Sequence, residues 1–331
     1  MLIEGYLQKL MRLAWAGLAL LVLFPVLAAM PANALSTANG SGLSISPTIY
    51  QFTLKPGQSG TLNLTLKNVT TGDITAQGQV NDFVSDGTTG SPKILTPPSP
   101  QTPNSIKDFV STVYDQKLSV GQQKSVSLTV TIPNGTAPGA YYGVIRYKGI
   151  PAGANSPNPN QIALTASVAT VVLITVPGNL RTLVKFNAIH VYHGTRDSNF
   201  FLTKPNKIGI EIQNLGNGFA RPFGTVEVQN MFHKEVATYQ FNNPKQLGNV
   251  LPNSTRIFTN QFSGVSQPGR YSVLANVAYD SSGNVLMIRK TFWYIPTWLA
   301  LVILAILAIL IFLTLRLYMR YRRDAKHAYK R

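Results

Sequence analysis

The sequence contains no cysteine, and only 12 of its 331 residues are Asp or Glu. The first absence excludes a disulfide scaffold, a thiolate zinc site, an iron–sulfur cluster and a cysteine nucleophile. The second leaves charged residues at 12% of the chain, about half the share usual for soluble globular proteins. Ser, Thr, Asn, Gln, Gly and Pro stand in their place, and these favour strands and turns over long surface helices. The length suits about two domains. The acidic deficit leaves a formal charge of +17, which raises the question of a nucleic-acid partner. The positions of the cations answer it.

Residues 1–34 are expected to be an export signal. Lys9 and Arg12 precede the apolar run Leu13–Leu27, and Ala32-Asn33-Ala34 gives the small-x-small pattern of a cleavage site. Cleavage there starts the mature chain near Leu35. At the other end, Trp298–Leu315 is eighteen residues without a charge, entered through Pro296. Trp293, Tyr294 and Trp298 on one side and Tyr318 and Tyr321 on the other form an aromatic belt, so a transmembrane helix is placed at 293–318. In Arg316–Arg331 seven basic residues face one acid, Asp324, and by the positive-inside rule the 319–331 tail is cytoplasmic. The expected protein is a single-pass cell-membrane protein with its N-terminal domains outside. The tail's charge is a topology signal rather than a nucleic-acid site. Net charge on 35–292 falls to +10, which suits anionic envelope polymers.

The outer region alternates with period two. Thr61–Lys67, Ser125–Ile132, Lys207–Gln213 and Thr225–Gln229 each put apolar residues on one face and polar residues on the other. One-face alternation predicts antiparallel sheets with a wet side. Turn residues at Lys55-Pro56-Gly57, Pro133-Asn134-Gly135, Pro177-Gly178 and Pro252-Asn253 punctuate these runs. The fold class is all-β: two tandem Ig-like antiparallel β-sandwiches, at 35–178 and 179–292, plus the C-terminal helix. A weak repeat supports the pairing. Leu64-Thr65-Leu66-Lys67-Asn68 matches Ile210-Glu211-Ile212-Gln213-Asn214, and Pro138-Gly139-Ala140-Tyr141 matches Pro268-Gly269-Arg270-Tyr271. Ser91–Asn104 accounts for the greater length of the first module, and Pro151–Asn160 is expected to be a hairpin tip.

Chemistry is sparse. His190 and His193 fall on opposite faces of one strand and do not chelate together. Asp82, Asp86-Gly87 and Asp280 read as turn formers, without the oxygen spacing of a calcium loop. Glu211, Glu227 and Glu235 are scattered and form no acid/base pair. No GxSxG, HExxH, P-loop or dinucleotide fingerprint occurs. No catalytic residue, metal or cofactor is expected. The aromatic-basic segment Tyr141–Lys148 supplies the candidate contact residues: Tyr142, Arg146, Tyr147 and Lys148.

Leu43-Ser44-Ile45-Ser46-Pro47, Leu54-Lys55-Pro56-Gly57-Gln58, Val130-Thr131-Ile132-Pro133 and Gly139–Ile145 resemble the first domain of WxL-interacting cell-surface proteins. Ile212-Gln213-Asn214, Leu251-Pro252-Asn253-Ser254 and Pro268-Gly269-Arg270-Tyr271 are similar to that family's membrane-proximal domain, which is followed by a transmembrane helix and a basic tail. The resemblance implies a non-catalytic surface protein of Gram-positive bacteria. Its implied partners are peptidoglycan or another anionic cell-wall polymer, and a second surface protein. Two alternatives use the same architecture. One is a structural stalk or accessory subunit of a membrane complex. The other is a membrane-tethered assembly chaperone that binds peptides at a sheet edge.

Overall fold

The computed structural model describes residues 42–151, 166–242, 248–279 and 285–328, with helix side chains as far as Arg320. The expected export signal at 1–34, the expected hairpin tip beyond Pro151, the Asp280 position and the side chains beyond Arg320 lie outside the described residues.

The chain is mostly β-sheet. Its first ten strands are β1 (Leu43–Ser46), β2 (Ile49–Thr53), β3 (Ser59–Asn68), β4 (Ile74–Asn81), β5 (Phe83–Ser85), β6 (Pro92–Ile94), β7 (Gln116–Leu118), β8 (Gln123–Thr131), β9 (Gly139–Pro151) and β10 (Ala166–Val176). Sheets β1-β3-β8 and β2-β10-β9-β4-β7 face each other. Between them lie the apolar positions of the alternating runs: Leu62, Leu64 and Leu66 from β3, Val126, Leu128 and Val130 from β8. Fully burying each such side chain contributes about 1.5–3 kcal/mol, so a one-residue slip of register would expose the whole face.

The next nine strands repeat the plan: β11 (Val184–His193), β12 (Arg196–Asp197), β13 (Phe200–Phe201), β14 (Lys207–Asn214), β15 (Phe223–Gln229), β16 (Glu235–Phe241), β17 (Ser254–Gln261), β18 (Gly269–Ala278) and β19 (Val285–Tyr294). Sheets β12-β11-β14-β17 and β13-β19-β18-β15-β16 enclose a second core that includes Ile208, Ile210, Ile212, Val226 and Phe292.

The sheets are not wholly antiparallel, which corrects the expectation from alternation. β2 lies parallel to β10, with Ile49 opposite Val171, and β13 lies parallel to β19, with Phe200 opposite Trp293. In each module the opening segment starts in one sheet and crosses to the other. In the first the crossing falls at Pro47, which has no N–H to give to a ladder.

The helix, α1 (Thr297–Ala328), differs at both ends from the expected 293–318. Trp293 and Tyr294 remain in the last strand, paired with Arg270 and Gly269. Tyr294 is buried in the sandwich rather than at a membrane interface, because the strand still has a partner there. The segment Thr297–Arg320 has a mean hydropathy of 3.1 and is long and apolar enough to cross a membrane.

Candidate functional site

Of the sequence-derived candidates, β9 carries all four, and its two faces separate them. Tyr147 points into the first core with none of its surface exposed. Burial, with the charge of Asp115 adding to it, pushes its hydroxyl up to about 12. Tyr142 lies on the opposite face but is also buried, packed against Phe83 at 5.0 Å and Phe219 at 6.3 Å between ring centroids. It belongs to a small apolar cluster with Val144, Leu173 and Leu251 that joins the two sandwiches. Only Arg146 and Lys148 reach a surface groove, beside Gln77, Gln79 and Asp115, and the Arg146 Nη2 donates to Gln79 Oε1 at 3.0 Å. The four therefore do not form one contact surface. Alternation shows that a strand has two faces but not that a neighbouring sandwich covers the second.

That same joint opens on one side into a cleft of about 870 Å³. Its floor is Ile49, Val171 and Leu173 from β2 and β10, and its far wall is Arg221, Leu251 and Arg256. Arg221 donates from Nε to Asn249 Oδ1 and from Nη2 to Gln51 Oε1, both at 2.8 Å, so one guanidinium spans the two modules. Arg256 lies over the Phe258 ring at 4.6 Å and donates from Nη1 to the Asn249 carbonyl, but its buried Nε has no partner. Burial draws this guanidinium below its ordinary range, with Asp86 working the other way. Two arginines at the lip of an apolar trough are suited to a carboxylate borne on an apolar segment.

The strand insertion of the first module shapes this cleft. β5 and β6 form a hairpin closed by Asp86, which accepts the backbone N–H groups of Thr88, Thr89 and Gly90. The hydrogen bond from Thr89 hydroxyl is the largest of the effects that hold the Asp86 carboxyl far below its usual range. The tip docks on β17 of the second module. Ile257 N–H donates to the Thr88 carbonyl, and Ser85 Oγ donates to the Thr255 carbonyl. Gly90 (φ 77°) passes so close to Arg256 that a Cβ there would collide with its Nε. Asp82, at the base of the insertion, is buried and paired with Lys107 Nζ at 3.2 Å.

Beside the cleft, strand pairing along one edge of β10 is incomplete, although β1 and Pro47 run past it and Thr170 Oγ1 donates to the Pro47 carbonyl at 2.7 Å. β2 covers β10 only over Val171–Thr175. Val171 turns its N–H towards the Thr48 carbonyl on the β2 side. Backbone groups alternate along a strand, so those of Ser167 and Ala169 point the same way. Among the described residues no strand pairs with them there.

A second polar constellation, missed because its members are remote in sequence, lies on β11. His190 Nδ1 is 2.6 Å from Asp197 Oδ2 and its Nε2 is 2.9 Å from Glu211 Oε2. His193 turns elsewhere, to the Lys204 carbonyl at 2.8 Å. Among the described residues no group of three His, Asp or Glu is placed to hold a metal ion.

No protein-family model matches the chain, and no curated protein matches it. Solved structures that resemble it include a chain from a chaperone–tip adhesin complex of CFA/I fimbriae biogenesis, 12% identical over 78% of this chain and 100% of that one, with a TM-score of 0.37. The E. coli chaperone DraB is 17% identical over 77% of this chain and 98% of its own, with a TM-score of 0.33. The Pseudomonas aeruginosa CupB2 chaperone is 12% identical over 75% of this chain and 100% of its own, with a TM-score of 0.34. A likeness this distant says nothing about what this chain binds.

Proposed function

We propose that this is a non-catalytic, membrane-tethered protein that holds an extended segment of another surface polypeptide. The observation that carries the reading is the apolar trough floored by Ile49, Val171 and Leu173 with Arg221 and Arg256 at its lip, next to a stretch of β10 at Ser167 and Ala169 that no described strand pairs on that side. An added strand would take its backbone hydrogen bonds from that edge and lay alternate apolar side chains in the trough. A carboxylate at its end or on a side chain would meet Arg221 and Arg256. The helix keeps this site at the membrane, on the outer side if the basic tail is cytoplasmic. A binding assay with full-length protein in detergent tests it, using a fluorescent peptide of alternating Val and Thr ending in a free carboxylate. Ala169→Pro removes one edge N–H and is expected to weaken binding about threefold to tenfold, the loss of one hydrogen bond. Unchanged affinity in that variant would refute edge pairing.

The second reading is wall-polymer binding, as the WxL-type resemblance implies. Arg146 and Lys148, side by side with Gln77 and Gln79 on an exposed groove, support it. It requires salt-sensitive co-sedimentation with purified cell walls that falls in an Arg146→Gln, Lys148→Gln double variant. Absence of co-sedimentation at low salt would sink it.

A further inference from the structure

The sheet β13-β19-β18-β15-β16 ends, on the side facing α1, in a set of exposed apolar side chains. Of the large apolar residues exposed on the second sandwich, five lie at this end: Phe200, Leu202, Met231, Phe232 and Trp293. Phe232 is the most exposed of them, at 76%. It stands on a built turn. Asn230 Oδ1 accepts the N–H groups of both Phe232 and Lys234, and His233 adopts φ 61° to let the chain turn back. Such a turn holds the aromatic ring outward, exposed to solvent.

Only Ile295 and Pro296 separate β19 from α1. Two extended residues span at most about 7 Å, and the β15–β16 turn lies two strands from β19, about 10 Å across the sheet. The turn is thus held close to the point where the helix enters. Ile295 N–H donates to the Phe201 carbonyl, which ties β13 to the same point. Around the apolar residues are the exposed cations Lys204, Lys234 and Arg270, with Glu235 the nearby acid.

We propose that this end of the second sandwich is a lipid-contacting foot, in which Phe232, Met231, Leu202, Phe200 and Trp293 enter the interfacial layer of the bilayer that α1 crosses. Aromatic side chains favour that layer, and the cations match its phosphates. The proposal rests on α1 being a membrane span, and its test separates the two.

The chain has no cysteine, so single Phe232→Cys and Leu202→Cys variants of the full-length protein take a nitroxide label without background. Leu304→Cys, in mid-helix, is the lipid reference, and Met287→Cys, at the opposite end of the same sheet, is the water reference. In proteoliposomes, collision with oxygen is compared with collision with a water-soluble nickel chelate. The expected result is an oxygen-to-nickel ratio at positions 232 and 202 several-fold above that at 287. If the label at 304 is in lipid while those at 232 and 202 match 287, the foot is refuted and the span stands. If the label at 304 is itself in water, span and foot both fall.

Discussion

The Tyr271 hydroxyl donates to the Gln267 carbonyl at 2.7 Å, four residues upstream. Tyr141 does the same to Ala137 at 3.0 Å at the equivalent corner of the first module. Each ring is planted at the start of a strand and closes the Pro-Gly turn before it, the corner device of Greek-key sandwiches. Tyr271→Phe keeps the ring and loses the bond, with a stability loss of about 1 kcal/mol expected from urea unfolding of the full-length protein in detergent. Tyr141→Phe, at a more exposed corner, should lose less.

Asn68 and Asn214 end β3 and β14 and are both buried. The Asn68 amide nitrogen lies within 3.1 Å of the Gly72, Leu118 and Ser119 carbonyls, and Asn214 Nδ2 donates to those of Gly218 and Val250. Alanine at either position strands buried carbonyls, and a loss of roughly 2–4 kcal/mol is expected in the same assay. A change below about 0.5 kcal/mol, ordinary for a surface substitution, would contradict this account.

His190 gives a pH dependence. Burial opposes its charge, but the hydrogen bonds to Asp197 and Glu211 outweigh that and raise its pKa. Lys290, 4.0 Å from Asp197, and Tyr192, stacked on the imidazole, complete its surroundings. A raised pKa means that folding favours the proton. The stabilisation is therefore complete below the unfolded value of about 6.5 and fades as pH rises through the folded one. The melting-temperature difference between wild type and His190→Gln should be largest near pH 6 and shrink towards pH 8.5. A difference that does not vary with pH would remove the charged-His account.

Gly90→Ala tests the hairpin dock. A side chain at its positive φ costs about 1–2 kcal/mol and meets Arg256. Amide exchange at Ile257, whose N–H is held by Thr88, is expected to accelerate at least about fivefold to tenfold. Unaltered exchange would mean that the hairpin does not protect β17.

The strands were legible because their residues obey period two: Thr61–Lys67 falls within β3 and Ser125–Thr131 within β8, with every second side chain buried, and the run in β8 overshoots the strand by Ile132 alone. The matched Asn and Tyr positions were also visible, as repeated words, though not what they bond. Three things were hidden. That β2 and β13 run parallel to their partners is one: β2 alternates like an antiparallel strand and β13 has only two residues. Tyr142 looks like a surface aromatic until Phe219 and Leu251 cover it from more than seventy residues away. The Asp86 turn reads as a local feature, and nothing local says that it docks on Ile257 and Arg256.

The two-residue passage from β19 into α1 has a mechanical consequence. Load borne between the membrane and the outer module enters the second sandwich along the length of β19. That strand is paired with β18 over ten positions, from Tyr294 opposite Gly269 to Val285 opposite Ala278. Tension then acts on these pairs together, in shear, instead of opening them one at a time like a zipper.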